Sequence, residues 1–242
     1  MNIVAELHTH TSISHHAHHT IDEMFRQASI LGLKAMAITN HAPALDDGAN
    51  VMHFKTLFQL PRFINGVFFI KGAEANVIGL DGRIDLSQST LSRLEFVIAS
   101  MHDSCMPHGS VQDNTRAYLN LLENPGVHCI GHCGTPKFPF DHEAVVKKCA
   151  ERGKIIEINS HSAVARKGSY ENCLDIATLC AKHGVRLILT TDAHSIYNLG
   201  EVGGSIKLVE EIGFPEDMII NTDLGRLSAY FKEIADIDIP IN

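Results

Sequence analysis

The segment Ile3-Val4-Ala5-Glu6-Leu7-His8-Thr9-His10 is an apolar run that ends in two alternate histidines. Residues i and i+2 of a β-strand point to the same side, so a strand here places the rings of His8 and His10 on one face. Imidazole is the most common metal-binding side chain, and a strand would present the two rings as a rigid pair of ligands. Taken alone, the pair is equally compatible with two solvated histidines at a strand end.

Comparable β-rich runs recur along the chain at intervals of about 30 residues, which is the length of a βα unit with its crossover helix. Parallel strands joined by helices form either an open sheet or a closed barrel, and seven repeated units favour a barrel. The fold class is therefore predicted as α/β, with parallel strands at residues 3–7, 34–39, 67–71, 96–100, 128–131, 154–158 and 186–190.

The segments between these runs carry apolar residues at helical spacing. Residues 21–31 form such a stripe, with Thr20 as N-cap, Glu23 three residues later and Gly32 after the last turn. Because no linker or low-complexity tract interrupts the pattern, residues 1–242 are expected to form a single domain. Further helices are predicted at residues 114–122, 141–152, 169–183, 200–212 and 223–234, with Asp141 capping and Gly153 ending the second of these and Gly184 ending the third.

The composition is that of a globular protein, with 45% hydrophobic and 20% charged residues. No apolar run approaches the roughly 20 residues that span a bilayer, so we expect no membrane association and a cytoplasmic location. A formal charge of -8 argues against general nucleic-acid binding. The six cysteines include no C-x-x-C pair and are expected to be free thiols.

The 16 histidines are the unusual feature of the composition. The carboxyl ends of barrel strands converge on one face, where barrel active sites are built, so polar residues at those ends favour a shared metal centre. The polar residues at predicted strand ends are His8, His10, His41, Glu74, His102, His132, Asp192 and His194.

A dense cluster, Ser14-His15-His16-Ala17-His18-His19, follows the first predicted strand within reach of the same rim. Spacing alone leaves open which of its histidines is a further ligand. Six other histidines lie outside the strand-end pattern and are interpreted as structural or solvated: His53, His108, His128, His142, His161 and His183.

Together these motifs resemble the polymerase and histidinol phosphatase (PHP) superfamily, and within it the YcdX-type phosphatases. The resemblance covers essentially the whole chain, and agreement at so many separated motifs is specific. It implies a distorted (βα)7 barrel with parallel strands and a metal site at the C-terminal ends of the strands. The motifs are His8-Thr9-His10-Thr11, Thr39-Asn40-His41, Gly72-Ala73-Glu74-Ala75-Asn76, His102, Gly131-His132 and Thr191-Asp192-Ala193-His194-Ser195.

The resemblance also implies a trinuclear centre of divalent ions, usually zinc, although imidazole and carboxylate ligands suit manganese or iron as well. It selects His16 from the histidine cluster. The implied ligands divide among three metals: His8, His10, Glu74 and Asp192 for the first, Glu74, His102 and His132 for the second, and His16, His41 and His194 for the third.

Two positions depart from the family pattern. Asn40 stands where many relatives have an Asp, so a carboxylate expected to orient His41 becomes a neutral amide. Cys133 stands where the family often has Pro, and it is interpreted as a small residue that fills the turn, with an adventitious thiolate ligand as the alternative.

Paired divalent metals favour phosphoester hydrolysis, because they lower the pKa of bound water to about 7 and stabilise both oxygens of an in-line displacement. The resemblance suggests a phosphomonoesterase that uses a hydroxide bridging two metals of the trinuclear centre, with no further catalytic side chain. Arg166 and Lys167 are predicted to bind the phosphate of a small phosphorylated substrate, with Lys137 as a weaker candidate.

Three alternatives stay open. A phosphodiesterase or nuclease of the same superfamily would use the same centre, and a metal-dependent amidohydrolase also places H-x-H at the first strand of a barrel. A metal-binding protein without catalytic activity is the alternative from another class. Relatives form homo-oligomers, so self-association is possible here too.

Overall fold

The computed structural model describes residues 1–165 and 167–241. Seven parallel strands form one sheet in the order β1-β2-β4-β5-β6-β7-β8, and the short strand β3 pairs antiparallel with β4. The predicted parallel α/β barrel is confirmed. The strands are β1 (Ala5–Glu6), β2 (Ala35–Ile38), β3 (Phe63–Ile64), β4 (Val67–Asn76), β5 (Phe96–Ser100), β6 (Cys129–Ile130), β7 (Ile155–Asn159) and β8 (Leu187–Thr190).

Helices connect the strands, and the predicted end signals operate at several of them. Thr20 and Glu23 form a capping box at α1, and Asp141 caps α5, while Gly153 and Gly184 end α5 and α7 with left-handed backbone at φ 64° and 75°. The helices are α1 (Ile21–Ile30), α2 (Val51–Thr56), α3 (Gln88–Leu91), α4 (Val111–Leu121), α5 (His142–Arg152), α6 (Ser160–Ala165), α7 (Ser169–His183), α8 (Gly203–Glu211) and α9 (Leu224–Ala235).

Three short helices, α2, α3 and α6, were not predicted, because each is too short to show a helical stripe. Helix α4 begins at Val111, three residues before its predicted start, because Ser110 and Asp113 form a capping box there. None of the helices in the described ranges combines the length and the apolar character that crossing a membrane requires.

Strand β4 is twice as long as predicted, because it changes partner along its length. Its first half pairs with β2 and its second half, from Gly72 onward, pairs with β5. A Cβ at Gly72 would lie 2.8 Å from Thr39 Cγ2, so glycine is required where the partner changes. Glu74 therefore lies inside the strand and not after it, which fixes its backbone within the sheet.

The barrel closes between β1 and β8 without a regular ladder. Thr9 and Ala193 form a single parallel bridge at the carboxyl ends of these strands. Below the bridge, the buried side chain of Asn221 takes the place of strand pairing: Nδ2 donates to Ala5 O (2.9 Å) and to Leu189 O (2.7 Å), and Oδ1 accepts from Leu189 N (3.0 Å). One amide side chain thus completes the hydrogen bonding of two strand edges.

The carboxylate of Glu6 accepts hydrogen bonds from the neighbouring part of the boundary between β1 and β8. Its oxygens accept hydrogen bonds from Leu7 N (3.1 Å), Thr191 N (3.3 Å) and Thr191 Oγ1 (2.6 Å). Complete burial raises the pKa of Glu6 to about 7, although these donors oppose the shift.

A central apolar cluster contains side chains from all seven parallel strands, which places it inside the barrel. Ala5, Ala35 and Phe96 are the first residues of their strands, so the cluster fills the amino-terminal end. Leu227, Tyr230 and Phe231 of α9 belong to the same cluster and close this end. Polar side chains occupy the opposite, carboxyl-terminal end of the barrel interior.

Candidate metal centre

The strand-end residues predicted as ligands meet at the carboxyl end of the barrel. His8, His10 and Glu74 are completely buried, and Asp192 and His132 are also buried, which is uncommon for charged or titratable groups. Three groups of side chains have donor atoms within 4.8 Å of one another: His8 with His10 and Glu74, His41 with Glu74 and His102, and His10 with His41 and His194.

The carboxylate of Glu74 is the centre of this arrangement. Its Oε1 lies 2.9 Å from His132 Nε2 and 3.4 Å from His102 Nε2, while its Oε2 lies 2.6 Å from His41 Nδ1. Oε2 also lies 3.4 Å from His8 Nε2. One carboxylate therefore faces two sets of imidazoles with its two oxygens, as a bridging ligand does.

Asp192 approaches the first of these sets from the opposite side of the barrel seam. Its Oδ1 lies 3.0 Å from His10 Nε2 and 3.4 Å from His8 Nε2. Asn159 Nδ2 donates to the other oxygen at 3.3 Å, so Oδ1 is the oxygen that faces the histidines.

The third group lies nearer to solvent. His10 and His194 stack with their ring centroids 4.2 Å apart, and His16 stacks on His194 at 4.4 Å. His16 is half exposed, and its Nδ1 contacts Asp47 Oδ2. His16 lies at the rim, whereas the donor atoms that converge with His41 and His194 are those of His10.

The donor set fits divalent cations. Several buried nitrogen and oxygen atoms that face the centre have no hydrogen-bond partner among the described residues, and such atoms are costly unless a ligand satisfies them. They are His8 Nε2, His10 Nε2, His41 Nδ1, Glu74 Oε2, Asp192 Oδ1 and His194 Nε2. Imidazoles with carboxylates are the ligands that zinc, manganese and iron accept.

Without a cation, the protonation states of Glu74, Asp192 and His10 suit cation binding, whereas that of His8 does not. Burial opposes protonation of His8, but the carboxylates of Glu157, Asp192 and Glu74 raise its pKa well above the ordinary value. Burial opposes ionisation of Glu74 and Asp192, but nearby histidines hold both pKa values well below their usual range: His41 and His8 for Glu74, and His8 and His10 for Asp192. Burial holds the pKa of His10 well below its ordinary value, with a further contribution from His41. Ionised carboxylates and neutral imidazole are the forms that bind metals.

Glu157 is a functional residue that the sequence analysis missed. Its Oε1 accepts from His8 Nδ1 (2.5 Å) and Thr190 Oγ1 (2.6 Å), and its Oε2 accepts from His132 N (2.6 Å). A proton held on His8 Nδ1 leaves Nε2 available toward Glu74. The signal in the sequence that could have identified Glu157 is a carboxylate within the apolar strand Ile155–Asn159.

Asn76 orients the ring of His102 in the same way, because Asn76 Oδ1 lies 2.7 Å from His102 Nδ1. Asp47 was also missed, and its loop offered no pattern that would distinguish it. His161 was interpreted as structural or solvated, but it lines the concave pocket of the centre together with His132 and His194.

Two of the predicted ligands have unusual backbone conformations. His132 and Asp192 both have positive φ, at 26° and 54°. Such conformations cost about 1–3 kcal/mol each and persist where the surrounding structure imposes them, often at functional sites. Here they follow β6 and β8, where His132 contacts Glu74 and Asp192 contacts His8 and His10.

The two departures from the family pattern have structural explanations. Asn40 Oδ1 accepts from Thr11 N (2.8 Å) and from the Ser14 hydroxyl (3.3 Å). Its Nδ2 donates to Thr11 Oγ1 (2.9 Å) and lies 3.1 Å from His53 Nε2, and the expected contact with the His41 ring is absent from the described bonds. Ser14 Oγ accepts from His41 N (3.0 Å), so Asn40 positions His41 indirectly, through its backbone.

Cys133 fills the turn, as interpreted. It is buried in an apolar cluster, and burial raises the pKa of its thiol well above the ordinary value, which disfavours a thiolate ligand. All six cysteines are free, as expected.

A second concavity of about 630 Å3 adjoins the centre, and we call it the side cleft. Leu45 and His102 line both the side cleft and the pocket of the metal centre, so they form the boundary between them. Lys137 and the exposed Lys167 line the side cleft. Arg166, the other predicted phosphate ligand, lies outside the described residues.

Comparisons with known proteins agree with this architecture. A probable phosphatase of Clostridium botulinum is 41% identical over 232 residues, which are 96% of each chain. A probable phosphatase of Caldicellulosiruptor bescii is 42% identical over 240 residues, covering 99% of this chain and 100% of its own.

Among solved structures, histidinol phosphate phosphatase from Lactococcus lactis, complexed with zinc, L-histidinol and phosphate, has a similar fold. It superposes with a TM-score of 0.61 at 15% identity, covering 87% of this chain and 94% of its own. The model of the PHP domain matches residues 6–161, which contain β1 to β7 and most of the centre. The chain therefore belongs to the PHP domain family.

Proposed function

We propose that the protein is a metal-dependent phosphomonoesterase with three divalent ions at the carboxyl end of the barrel. The observation that carries this proposal is the concentration of buried imidazole and carboxylate atoms at the carboxyl end of the barrel, among them atoms of His8, His41 and Glu74 that satisfy no hydrogen bond within the described residues. Buried polar atoms without hydrogen bonds are costly, and bound cations would remove that cost.

The comparisons support the phosphatase class. The relatives at 41% and 42% identity are named probable phosphatases, and the histidinol phosphate phosphatase complex holds zinc and phosphate. We propose zinc for this chain too, since imidazoles dominate the donor set.

The proposed ligand sets are those that the family resemblance implies, and the donor-atom groups overlap with them only in part. The first metal is assigned to His8, His10, Glu74 and Asp192, the second to Glu74, His102 and His132, and the third to His16, His41 and His194. For His16, rotation of the half-exposed ring away from Asp47 would bring a nitrogen to the third position. The convergence of His10 with His41 and His194 supports His10 as an additional neighbour of that metal.

Bound ions would supply a nucleophilic hydroxide near neutral pH and stabilise negative charge on the phosphoryl group. The protein's own residues hold the geometry. Glu157 keeps the His8 proton on Nδ1, Asn76 orients His102, and Ser14 fixes the backbone of His41. Burial of Glu74 keeps its charge unscreened by water, which strengthens its attraction for cations.

The test is hydrolysis by metal-supplemented protein of p-nitrophenyl phosphate, bis-p-nitrophenyl phosphate and a panel of cyclic amides. We expect turnover of the monoester, with less turnover of the diester. Preference for the diester would favour the phosphodiesterase alternative, and turnover of amides alone would favour the amidohydrolase. Metal-loaded protein without any hydrolase activity would support the noncatalytic alternative.

His10→Ala and His18→Ala form a matched pair, because both change a histidine near the first strand. His10 is completely buried in the centre, whereas His18 is exposed. We expect His10→Ala to lose bound metal and to abolish hydrolysis, and His18→Ala to retain both. Equal metal content, by plasma emission, in the two variants would contradict the assignment of His10.

A further inference from the structure

The side cleft lies apart from the atoms that would hold the transferred phosphate. It is formed by segments after three adjacent strands: Met101 to Ser104 after β5, Thr135 to Phe138 after β6, and Lys167 beyond β7. The pocket of the metal centre is lined instead by residues of the β1, β2 and β8 ends, together with His102 and His132. A substrate with its phosphate at the centre would extend its leaving group past His102 into the side cleft.

The walls of the side cleft are partly apolar. Leu45, Met101 and Phe138 line it, and Met101 and Phe138 are themselves buried, which makes these walls rigid. Its volume of about 630 Å3 is in the range of small-molecule sites. The leaving group therefore has room for a carbon skeleton of the size of an aromatic ring or a sugar.

The charges in the side cleft do not cancel. Two ammonium groups, of Lys137 and Lys167, face one carboxylate, of Asp103. Lys137 Nζ contacts Asp103 Oδ2, so these two charges compensate each other. Within residues 1–165 and 167–241, Lys167 takes part in no ion pair, so one positive charge in the cleft is uncompensated.

We propose that the side cleft binds the leaving group of the substrate and that Lys167 binds a second anionic group, a carboxylate or a phosphate, on that leaving group. The substrate class is therefore a phosphomonoester with a second anion attached through a short carbon skeleton. This inference rests on the proposed function and changes the role of Lys167: it recognises the leaving group and not the transferred phosphate.

The experiment compares two aryl esters, 4-carboxyphenyl phosphate and 4-carbamoylphenyl phosphate, which have nearly the same shape and differ in the charge at the far end. We expect metal-loaded protein to prefer the carboxylate in kcat/KM by about five- to tenfold, mostly through KM, since a charged hydrogen bond in a partly open cleft has this strength. Differences in intrinsic reactivity cancel when the same pair is compared across variants.

Lys167→Ala should abolish the preference, and Lys167→Arg should retain most of it. Asp103→Asn should increase it, because the substitution removes the opposing charge and releases Lys137. The control is Lys207→Ala, an exposed lysine of α8 outside the cleft, which should leave the preference unchanged.

Three results would overturn the inference while the proposed function stands. They are equal hydrolysis of both esters by the unmodified protein, an unchanged preference in Lys167→Ala, and an equal loss for both esters in Lys167→Ala, which would assign Lys167 to the transferred phosphate. If the metal-loaded protein hydrolyses neither these esters nor p-nitrophenyl phosphate, the proposed function itself fails, and this inference fails with it.

Discussion

Among single residues of the centre, the sequence identified the histidines but not Glu157. The histidines were visible because they recur at strand ends. Glu157 was hidden, because one acidic residue in a strand has many possible structural roles, and its partner His8 is 149 residues away. Only barrel closure places the two side by side, and closure depends on the whole sheet.

Glu157→Gln tests this residue. A carboxamide has one acceptor oxygen, whereas Glu157 receives hydrogen bonds on both oxygens, so an amide N–H must face either His8 Nδ1 or His132 N. We expect a 10–100-fold loss of metal affinity, measured by titration with a competing chelator, and a parallel loss of phosphatase activity. The exposed Glu233→Gln is the control. Unchanged metal affinity would show that Glu157 does not position the ligands.

The bounds of helices and strands were predicted well where the apolar periodicity was strong. They were predicted poorly where pairing with other parts of the chain determines the length of a strand. Helices α1, α5 and α7 matched their cap and stop residues. Strand β1 shrank to two residues, because its later part joins the seam with β8. The seam depends on Asn221, which comes late in the chain and resembles an ordinary loop residue in sequence.

Asn221→Ala should destabilise the barrel at this seam. The substitution leaves Ala5 O, Leu189 O and Leu189 N buried without their partner, and each buried unsatisfied group costs about 1–3 kcal/mol. We expect a loss of at least about 3 kcal/mol in the free energy of unfolding, measured with urea. Asn120→Ala, at an exposed position of α4, should change it little. Similar stability of the two variants would mean that water replaces the amide.

Strand β6 begins beside His128, whose protonation opposes folding. His128 Nδ1 accepts from Val97 N (3.0 Å), and burial, with Lys154 adding to it, lowers the pKa of His128 to about 4. The unfolded chain protonates this histidine below about pH 6.5. Stability is therefore complete above that pH and is lost as pH falls toward 4.

The comparison of unmodified protein with His128→Asn isolates this effect, since the amide oxygen can still accept from Val97 N. Metal-free proteins should be compared by urea unfolding at pH 7.5 and pH 5. Relative to the variant, the unmodified protein should lose up to about 2 kcal/mol between these pH values. A stability difference that is the same at both pH values would contradict the lowered pKa.

At the scale of the whole molecule, the centre and the fold should support each other. Bound metals stabilise the native state, because the unfolded chain lacks the assembled ligands, and free metal at 100 times its Kd contributes about 2.7 kcal/mol. We expect dialysis against a chelator to lower Tm and added zinc to restore it. An unchanged Tm, with metal loss verified by plasma emission, would show that the centre does not contribute to stability.

We also propose that residues 1–242 unfold as one domain. The evidence is the apolar cluster shared by all seven parallel strands and α9. Thermal unfolding of metal-free protein, followed by far-ultraviolet circular dichroism and by tyrosine fluorescence, should give coincident transitions. Two separated transitions would divide the chain into independent parts.

The apolar cluster that contains residues of both β1 and α9 has a consequence for synthesis of the chain. Ala5 and Leu7 belong to the same interior cluster as Leu227, Tyr230 and Phe231. A growing polypeptide holds the first group outside the ribosome long before the second exists, so its barrel interior is open to water during most of translation. Completion of the core must wait until residues 224–235 have left the exit tunnel. A nascent chain stalled before that point should bind hydrophobic dyes and chaperones, and release should end both.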